Sequence, residues 1–454
     1  MEKQPLPPNK MGAEPIGPLV LRMSFPMMIS MLVQALYNVV DSIFVALVSE
    51  SAFTAVSLVF PYQMLVVSIA VGTGVGVNLL AARHLGEGRQ KEANAVAAHG
   101  QFLALVSGIV FMLAFAIFTP TLIGMFNPDH EIYEHACTYL YWVGVPSIFM
   151  IFQCMYEKIL QATGDTLHSM LSQLVGAVFN IIFDPILIFG LFGFPKLGVA
   201  GAAIATVLGQ AIGMCLALYY LYKRNRHIDI SLKGFRPKWP VARDIYRAGL
   251  PNIAMRSISS VTTFGMNRIL MAMTPTAVNV LGVYYKMESF MYMPVFGLSS
   301  GAMPIISYNY GARSKERILE ALKYGCIYAE AILVSGMILV LLFAKQFLML
   351  FNASPYMLEI GVPALRIISL CFPMAALGII FATFFQAVGK GKLSLLVSIM
   401  RQLILILPVA YLLSRIYGLK ATWAAYPIAE AVATILSSLV IHNTIRKNIN
   451  TLGA

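Results

Sequence analysis

The chain has 454 residues, of which 59% are hydrophobic and 11% charged, and its mean hydropathy is +0.76. This composition excludes a water-soluble domain, because apolar stretches long enough to cross a hydrocarbon core of about 30 Å recur along the chain. The net charge of +12 would suit a nucleic-acid-binding protein. The basic residues are instead placed as in a membrane protein, so we expect no nucleic-acid partner.

Twelve apolar segments are each long enough for a membrane-spanning helix, which needs about 20 residues. In chain order they are 22–48, 53–82, 94–119, 133–156, 167–191, 197–222, 245–273, 277–307, 318–343, 356–386, 393–414 and 419–445. Most of the 32 Lys and Arg residues fall in the loops and termini on one side of these spans. This positive-inside pattern predicts a multi-pass protein of the inner (plasma) membrane with both termini cytoplasmic.

The spans form two groups of six joined by a basic segment. The predicted domains are a cytoplasmic tail (1–21), an N-lobe (22–222), a cytoplasmic linker (223–244), a C-lobe (245–445) and a second cytoplasmic tail (446–454). The basic residues of the linker are expected to set the membrane topology, and attraction of anionic lipid is the alternative role. We expect a monomer whose partners are small molecules and the lipid bilayer.

The second half of the chain repeats the first at a shift of 225 positions. The matching residues are Arg22 and Arg247, Pro26 and Pro251, Gly72 and Gly297, Gly76 and Gly301, Gly86 and Gly311, Gly100 and Gly325, Phe126-Asn127 and Phe351-Asn352, and Gln161-Ala162-x-Gly164 and Gln386-Ala387-x-Gly389. Six spans per repeat give both halves the same orientation in the membrane. Internal repeats of this kind are typical of transporters with a binding site between the two halves.

Sequence motifs for enzymatic chemistry are missing. The chain has no G-x-x-x-x-G-K-[ST] loop for ATP and no HExxH metal motif, and its five cysteines form no CxxC pair. We therefore expect a protein that is not an enzyme and has no cofactor. Gly72, Gly76 and their repeat mates lie within spans, where small residues four apart indicate close helix packing.

Carboxylates within spans are costly and usually functional. In the first span, Asp41 continues a polar stripe formed by Gln34, Tyr37 and Asn38 at helical spacing. The fifth span carries Asn180 and Asp184 one turn apart, and the sixth carries Thr206. Asp41, Asp184 and Thr206 lie at similar depths, about 10–14 Å below the outer edge at 1.5 Å per residue. These hard oxygen ligands predict a site for H⁺ or Na⁺; separate hydrogen bonds for helix packing are the alternative.

The second half lacks this constellation. Ser260, Thr263 and Asn267 take the places of the stripe on the first span. Val409 and Ala431 stand where Asp184 and Thr206 would repeat. Arg401 and Glu430 lie at comparable depths and are predicted either to neutralise one another or to find separate partners.

Glu288 lies near the middle of the eighth span, among Tyr284, Met287 and Met291, and its repeat mate is Gln63. Methionine and aromatic side chains form adaptable walls that attract cations. We expect these residues to line a substrate cleft together with Gln34, Tyr37 and Asn38. A structural ion pair of Glu288 with Lys286 or an arginine is the alternative. Pro26 and Pro251 remove helical hydrogen bonds and are expected to allow the first and seventh spans to bend.

Several motifs resemble those of the multidrug and toxic compound extrusion (MATE) family, in its bacterial DinF-like and MepA-like branch. They are Met11-Gly12-x-x-Pro15-Ile16, Tyr37-Asn38-x-x-Asp41, Gln161-Ala162-x-Gly164-Asp165, Asn180-x-x-x-Asp184-Pro185 and Gly198-Val199-x-Gly201-Ala202-Ala203-x-Ala205-Thr206. The resemblance covers essentially the whole chain. It implies an all-α membrane protein with twelve helices in two lobes facing a central cleft. It also implies cation-coupled export, with the N-lobe cation site on Asp41, Asn180, Asp184 and Thr206 and an acidic residue at Glu288.

The sequence thus predicts a secondary active antiporter that exports amphipathic, cationic compounds in exchange for H⁺ or Na⁺. Acidic residues that other branches of the family place on helices 7 and 10 have no counterpart here, which argues against a C-lobe cation site on those helices. The alternative function is a flippase for lipid-linked saccharide precursors. Arg256, Arg268 and Lys286 within spans of the second half favour that alternative.

Overall fold

Helices account for nearly all of the computed structural model, which describes residues 9–126, 128–225, 227–351 and 353–450. These residues contain no β-strand. The repeat partners Asn127 and Asn352, and Arg226 of the predicted linker, lie outside the described residues. We number the main helices α1 (Ile16–Ala46), α2 (Glu50–Gly86), α3 (Gln90–Gly124), α4 (His130–Ala162), α5 (Thr166–Phe189), α6 (Val199–Lys223), α7 (Trp239–Met271), α8 (Pro275–Gly311), α9 (Lys315–Leu350), α10 (Pro355–Ser369 with Phe372–Ala387), α11 (Gly391–Ile416) and α12 (Leu419–Lys447).

The helix boundaries repeat as the sequence predicts. Helices α2 and α8 each have 37 residues, and their first residues, Glu50 and Pro275, are 225 positions apart. The turn between α4 and α5 is also built twice. The Gln161 amide donates to the Ser169 hydroxyl at 2.9 Å, and the Gln386 amide donates to the Ser394 hydroxyl at 3.5 Å. The repeated Gln-Ala-x-Gly motif therefore fixes the same loop in both halves.

In the part of the chain that the structure describes, ten helices are long and apolar enough to cross a membrane. Counting the bent pair α10, with its 45° angle at the break, as one span makes eleven. Helix α7 has 33 residues, so it is long enough to span, but it contains Arg243, Asp244, Arg247, Arg256 and Arg268 and is too polar to qualify by composition. Its repeat mate α1 does qualify. The expectation of a twelfth span at α7 therefore rests on the repeat rather than on hydropathy.

The chain forms two compact units whose boundaries fall inside helices. The N-unit comprises Ile29–Leu250 with residues 9 and 10, and the C-unit comprises Met11–Met28 with residues 251–450. The beginning of α1 therefore belongs to the C-unit and the beginning of α7 to the N-unit, which differs from the lobes expected at 22–222 and 245–445. Pro26 and Pro251 lie in continuous helices close to these changes of unit.

Glycine contacts explain this exchange of helix halves. In the N-unit, a Cβ on Gly249 would lie 2.1 Å from the Gly72 carbonyl oxygen, and a Cβ on Gly76 would lie 2.2 Å from the Ile245 carbonyl oxygen. In the C-unit, a Cβ on Gly297 or Gly301 would lie 2.5 Å from backbone atoms of α1. The prediction that these glycines mediate close helix packing is confirmed. Gly72 and Gly76 of the first repeat thus pack on the beginning of α7, and Gly297 and Gly301 of the second repeat pack on the beginning of α1.

The segment between α6 and α7 is packed against the N-unit. Helix α7 begins at Trp239 rather than at 245, so the linker is shorter than predicted. The Gln101 amide donates to the Ile230 carbonyl at 3.0 Å, and the Lys238 N–H donates to Nε2 of the buried His99 at 2.8 Å. The His99 and Phe235 rings meet edge to face, with centroids 4.9 Å apart. These contacts hold the linker on the end of α3.

Candidate functional site

A glycine contact sets the distance between α5 and α6. A Cβ on Gly209 would lie 2.6 Å from the Gly176 carbonyl oxygen, and a Cβ on Gly176 would lie 2.7 Å from the Gly209 carbonyl oxygen. Only glycine at both positions allows this approach. Asn180 follows Gly176 by one turn and Thr206 precedes Gly209 by about one turn, so the contact brings these two polar side chains face to face.

Asn180 connects two of the predicted ion ligands. Its amide donates to Oδ1 of Asp184 and to the hydroxyl of Thr206, both at 3.1 Å. All three residues are at least nine-tenths buried, and Asp184 has no exposed surface. Pro185 also removes the helical hydrogen bond to the Ile181 carbonyl one turn earlier. The structure thus brings together Asn180, Asp184 and Thr206, the ligands predicted on α5 and α6.

Asp41 completes this cluster from α1. Its carboxyl group is within hydrogen-bonding reach of the Asp184 carboxyl group. Oδ1 of Asp41, Oδ1 of Asn180 and Oδ2 of Asp184 are buried and make no hydrogen bond within the described chain. A hydrogen bond between two carboxyl groups needs a proton on one of them, and unpartnered oxygens of this kind also suit a hard monovalent cation.

Two tyrosines and a glutamine surround the cluster. Tyr37 interacts electrostatically with both Asp41 and Asp184. Tyr139, on α4, lies within electrostatic range of Asp41 and Tyr37 and beside Gln63. Sequence reasoning missed Tyr139, which is 2% exposed, because it has neither an intramembrane charge nor a recognisable motif around it. Of the other predicted cleft residues on α1, Gln34 is half-buried and Asn38 is exposed.

The predicted cleft residues of the C-unit lie together on α8 and differ in exposure. Tyr284 and Met287 are buried, whereas Glu288 and Met291 are half-buried. Met291 packs on α9, where a Cβ on Gly336 would lie 3.1 Å from its sulfur atom. Lys286 lies over the Phe351 ring at 5.1 Å. Glu288 instead lies beside Tyr284 and within electrostatic range of Glu430 and Arg401.

Arg401 and Glu430 form the predicted ion pair, with Nη1 of Arg401 3.0 Å from Oε1 of Glu430. This pair connects α11 and α12 within the C-unit. Val409 and Ala431, the repeat mates of Asp184 and Thr206, carry no polar side chain. The two units therefore carry different polar clusters on a repeated scaffold.

A sequence model of the MatE family matches the chain twice, over residues 26–186 and 251–412. The chain belongs to the MatE family. The two matched segments correspond to the two structural repeats. The first contains the ion ligands predicted on α1 and α5, and the second contains Glu288 and Arg401.

Relatives of this MATE-family chain are similar over almost their full length. The multidrug export protein MepA of Staphylococcus haemolyticus is 25% identical over 425 residues, which cover 93% of each chain. An FAD transporter of Shewanella oneidensis is 28% identical over 431 residues, again 93% of each chain. Both relatives are transporters, and the chain is accordingly a multi-pass membrane transport protein.

Solved structures confirm the MATE fold. A multidrug resistance MATE family transporter of the MOP superfamily, captured in an outward-facing conformation, aligns with a TM-score of 0.91 at 28% identity, covering 99% of this chain and all of that chain. A MOP superfamily transporter from Pyrococcus furiosus, described as having a binding pocket of reversed polarity, aligns with a TM-score of 0.91 at 27% identity over all of both chains.

Proposed function

We propose that this MATE-family transporter is a secondary active antiporter that exports amphipathic organic cations in exchange for H⁺ or Na⁺. The observation that carries the proposal is the cluster of buried, unpartnered oxygens on Asp41, Asn180 and Asp184. Burying two adjacent carboxylates without a compensating cation is very costly, so the cluster is expected to hold H⁺ or Na⁺ for part of the cycle. Binding there from outside the cell then supplies the driving force for export.

Three residues of the N-unit have distinct roles in this proposal. Asp184 and Asp41 supply the charge that binds the ion. Asn180 holds Asp184 and Thr206 in place through its two N–H donors. Because the Asn180 oxygen is also unpartnered, it is available as a neutral ligand to Na⁺. A proton bound to one of the two carboxylates needs no further ligand, so both H⁺ and Na⁺ fit the residues present.

Glu288 is the acid that we expect to face the substrate. The MepA relatives are multidrug exporters, and a half-buried carboxylate beside methionine and tyrosine side chains favours a lipophilic cation. Lys286 does not neutralise Glu288, because its ammonium group lies over Phe351. With a cytoplasmic N- and C-terminus, the cycle would move the drug outward while the ion moves inward.

The decisive experiment measures ion-gradient-driven ethidium transport in proteoliposomes. Asp41→Asn and Asp184→Asn should each reduce transport to the level of protein-free liposomes, because each removes a charged ligand. Glu330→Gln is the matched control, since Glu330 is a half-buried carboxylate on the spanning helix α9, outside the cluster, and this variant should retain transport. Thermal unfolding of each purified variant checks that the fold is intact.

Two outcomes would contradict the proposal. Retained coupling in both aspartate variants would rule out the N-unit site, and a wild-type protein that transports none of several cationic dyes would rule out cation export. Repeating the assay at fixed pH with and without Na⁺ identifies the coupling ion. Transport that needs Na⁺ at every pH excludes H⁺ as the sole coupling ion.

A second candidate substrate is a flavin dinucleotide. One observation that suggests it is the similarity to the FAD transporter of S. oneidensis. The other is Arg256, which is exposed on α7 and whose Nε donates to Oδ1 of Asn252 at 3.5 Å. An exposed guanidinium group favours phosphate through paired hydrogen bonds. Export of FAD but of no cationic dye would favour this candidate, and Arg256→Gln should then weaken transport of FAD.

A further inference from the structure

The ion pair of the C-unit lies in an unusual stretch of helix. Arg401 belongs to a π-helical segment, Met400–Ile406, within α11. Such segments are rare and are frequent at functional sites. Its partner, Glu430 on α12, is 7% exposed. A buried pair of this kind contributes little net stability compared with apolar side chains of the same size, so its presence calls for a further explanation.

The pair leaves part of Glu430 unsatisfied. Arg401 contacts Oε1 of Glu430, whereas Oε2 is buried and makes no hydrogen bond within the described chain. Space next to this oxygen is provided by Gly378 on α10. A Cβ at Gly378 would lie 3.9 Å from both Oε2 of Glu430 and Nη1 of Arg401, which is an ordinary contact distance. A buried acceptor with space beside it is suited to bind a proton.

A second carboxylate lies within electrostatic range of the same arginine. Glu288 on α8 interacts electrostatically with both Arg401 and Glu430 and lies beside Tyr284. The other titratable groups around the cluster are Tyr285 and Tyr426, whose hydroxyls are 3.1 Å apart, and Tyr292 and Cys371. All of them are neutral when protonated. The cluster therefore has two carboxylates and one permanently charged guanidinium group, so it is one positive charge short of neutrality.

We propose that Glu288, Arg401 and Glu430 together form a proton-binding site in the C-unit that holds one exchangeable proton on its two carboxyl groups. The site binds H⁺ rather than Na⁺, because the guanidinium group repels a metal cation but leaves one carboxylate to be neutralised by a proton. This distinguishes it from the N-unit cluster, whose interacting groups are carboxyl, hydroxyl and amide groups. The inference deepens the proposed antiport, on which its role in transport rests.

The alternative is that Arg401 and Glu430 only join α11 to α12. Under that alternative, Glu288 titrates independently and does not respond to the charge at position 401. Under the proposal, the number of bound protons follows the charge balance of all three residues. Removing the Glu288 charge leaves a neutral pair that needs no proton, and removing the Arg401 charge leaves two carboxylates that each need one.

Infrared difference spectroscopy of the purified full-length protein measures the number of protonated carboxyl groups directly. The band of protonated carboxyl groups is followed as the pH is raised, in an Asp41→Asn/Asp184→Asn background that removes the two carboxyl groups of the N-unit cluster. Glu288→Gln in this background should remove the amplitude of one carboxyl group, and Arg401→Gln should add the amplitude of one. Glu330→Gln, the control, should leave the remaining titration of the C-unit unchanged.

The opposite results would overturn the proposal. An unchanged carboxyl amplitude in Glu288→Gln means that Glu288 and Glu430 share no proton. An unchanged amplitude in Arg401→Gln means that the guanidinium group does not determine the number of bound protons. Glu288→Gln retains the Arg401–Glu430 pair, so a folding defect is not expected to obscure its result. The spectroscopic titration requires no transport, so a failure of ethidium export would contradict the antiport and leave this measurement valid.

Discussion

Gly88 and Arg313 occupy equivalent positions in the turns that follow α2 and α8. Both have a left-handed backbone, with φ of 70° and 56°. A side chain in this conformation costs about 1–2 kcal/mol, and glycine does not incur that cost. Gly88→Ala should therefore lower the stability of the purified protein by about 1 kcal/mol, although the added methyl group would meet no atom within 4 Å.

Arg313→Gly tests the same left-handed backbone conformation by the reverse substitution, so the backbone contribution to stability should have the opposite sign. Relief of backbone strain should offset the greater entropy of an unfolded glycine, so thermal unfolding should occur at an equal or higher temperature. A clear loss of stability in Arg313→Gly, together with no change in Gly88→Ala, would contradict the steric explanation. Both turns lie at the ends of helices and outside the polar clusters, so transport provides an independent check that function is retained.

The candidate ion-site residues can be recognised in the sequence for a physical reason that also explains why Tyr139 was missed. Asp41, Asn180 and Asp184 are polar in apolar helices, and helical spacing alone places Asn180 and Asp184 on one face. Tyr139 could not be found in this way, because tyrosine is common in membrane helices and its contact with Gln63 joins α4 to α2. The electrostatic interaction of Glu288 with Arg401 is between α8 and α11, and it depends on the arrangement of helices distant in sequence.

At the scale of helices, the packing of α7 depends on glycine at one position. A methyl group at Gly249 would lie 2.1 Å from the Gly72 carbonyl oxygen, and neither backbone can move without separating α2 from α7. Gly249→Ala should therefore destabilise the protein by more than about 2 kcal/mol or prevent folding. Gly282→Ala is the matched control, because Gly282 is a helical glycine on α8 with open space around it. Alanine there should stabilise by up to about 1 kcal/mol.

Expression level, monodispersity and thermal unfolding of the two variants measure this difference. Equal stability of Gly249→Ala and Gly282→Ala would show that α2 and α7 are not held by the glycine contact. The repeat predicted that these glycines mediate helix packing, but it did not predict their partners. Hydropathy and the 225-residue shift describe each helix separately, whereas the exchange of the first halves of α1 and α7 between units follows from which backbones approach closely.

At the scale of the whole molecule, the repeat supplies one scaffold and the charges differ between its two copies. Helix boundaries, the Gln161 and Gln386 turns and the glycine contacts recur in both halves. The N-unit cluster combines two carboxylates with neutral ligands, and the C-unit cluster adds an arginine. If both clusters take part in transport, each cycle carries two cations inward against one drug molecule outward.

This stoichiometry predicts that the membrane potential drives export. Exchange of two monovalent ions for one monovalent organic cation moves one net charge, and 100 mV then contributes about 2.3 kcal/mol. Because 1.4 kcal/mol corresponds to a factor of ten, the attainable drug ratio rises about 50-fold. Proteoliposomes with a potassium diffusion potential, and with no pH or Na⁺ gradient, should therefore drive ethidium against its gradient. A flux independent of this potential would indicate electroneutral one-for-one exchange, in which the C-unit proton does not cross the membrane.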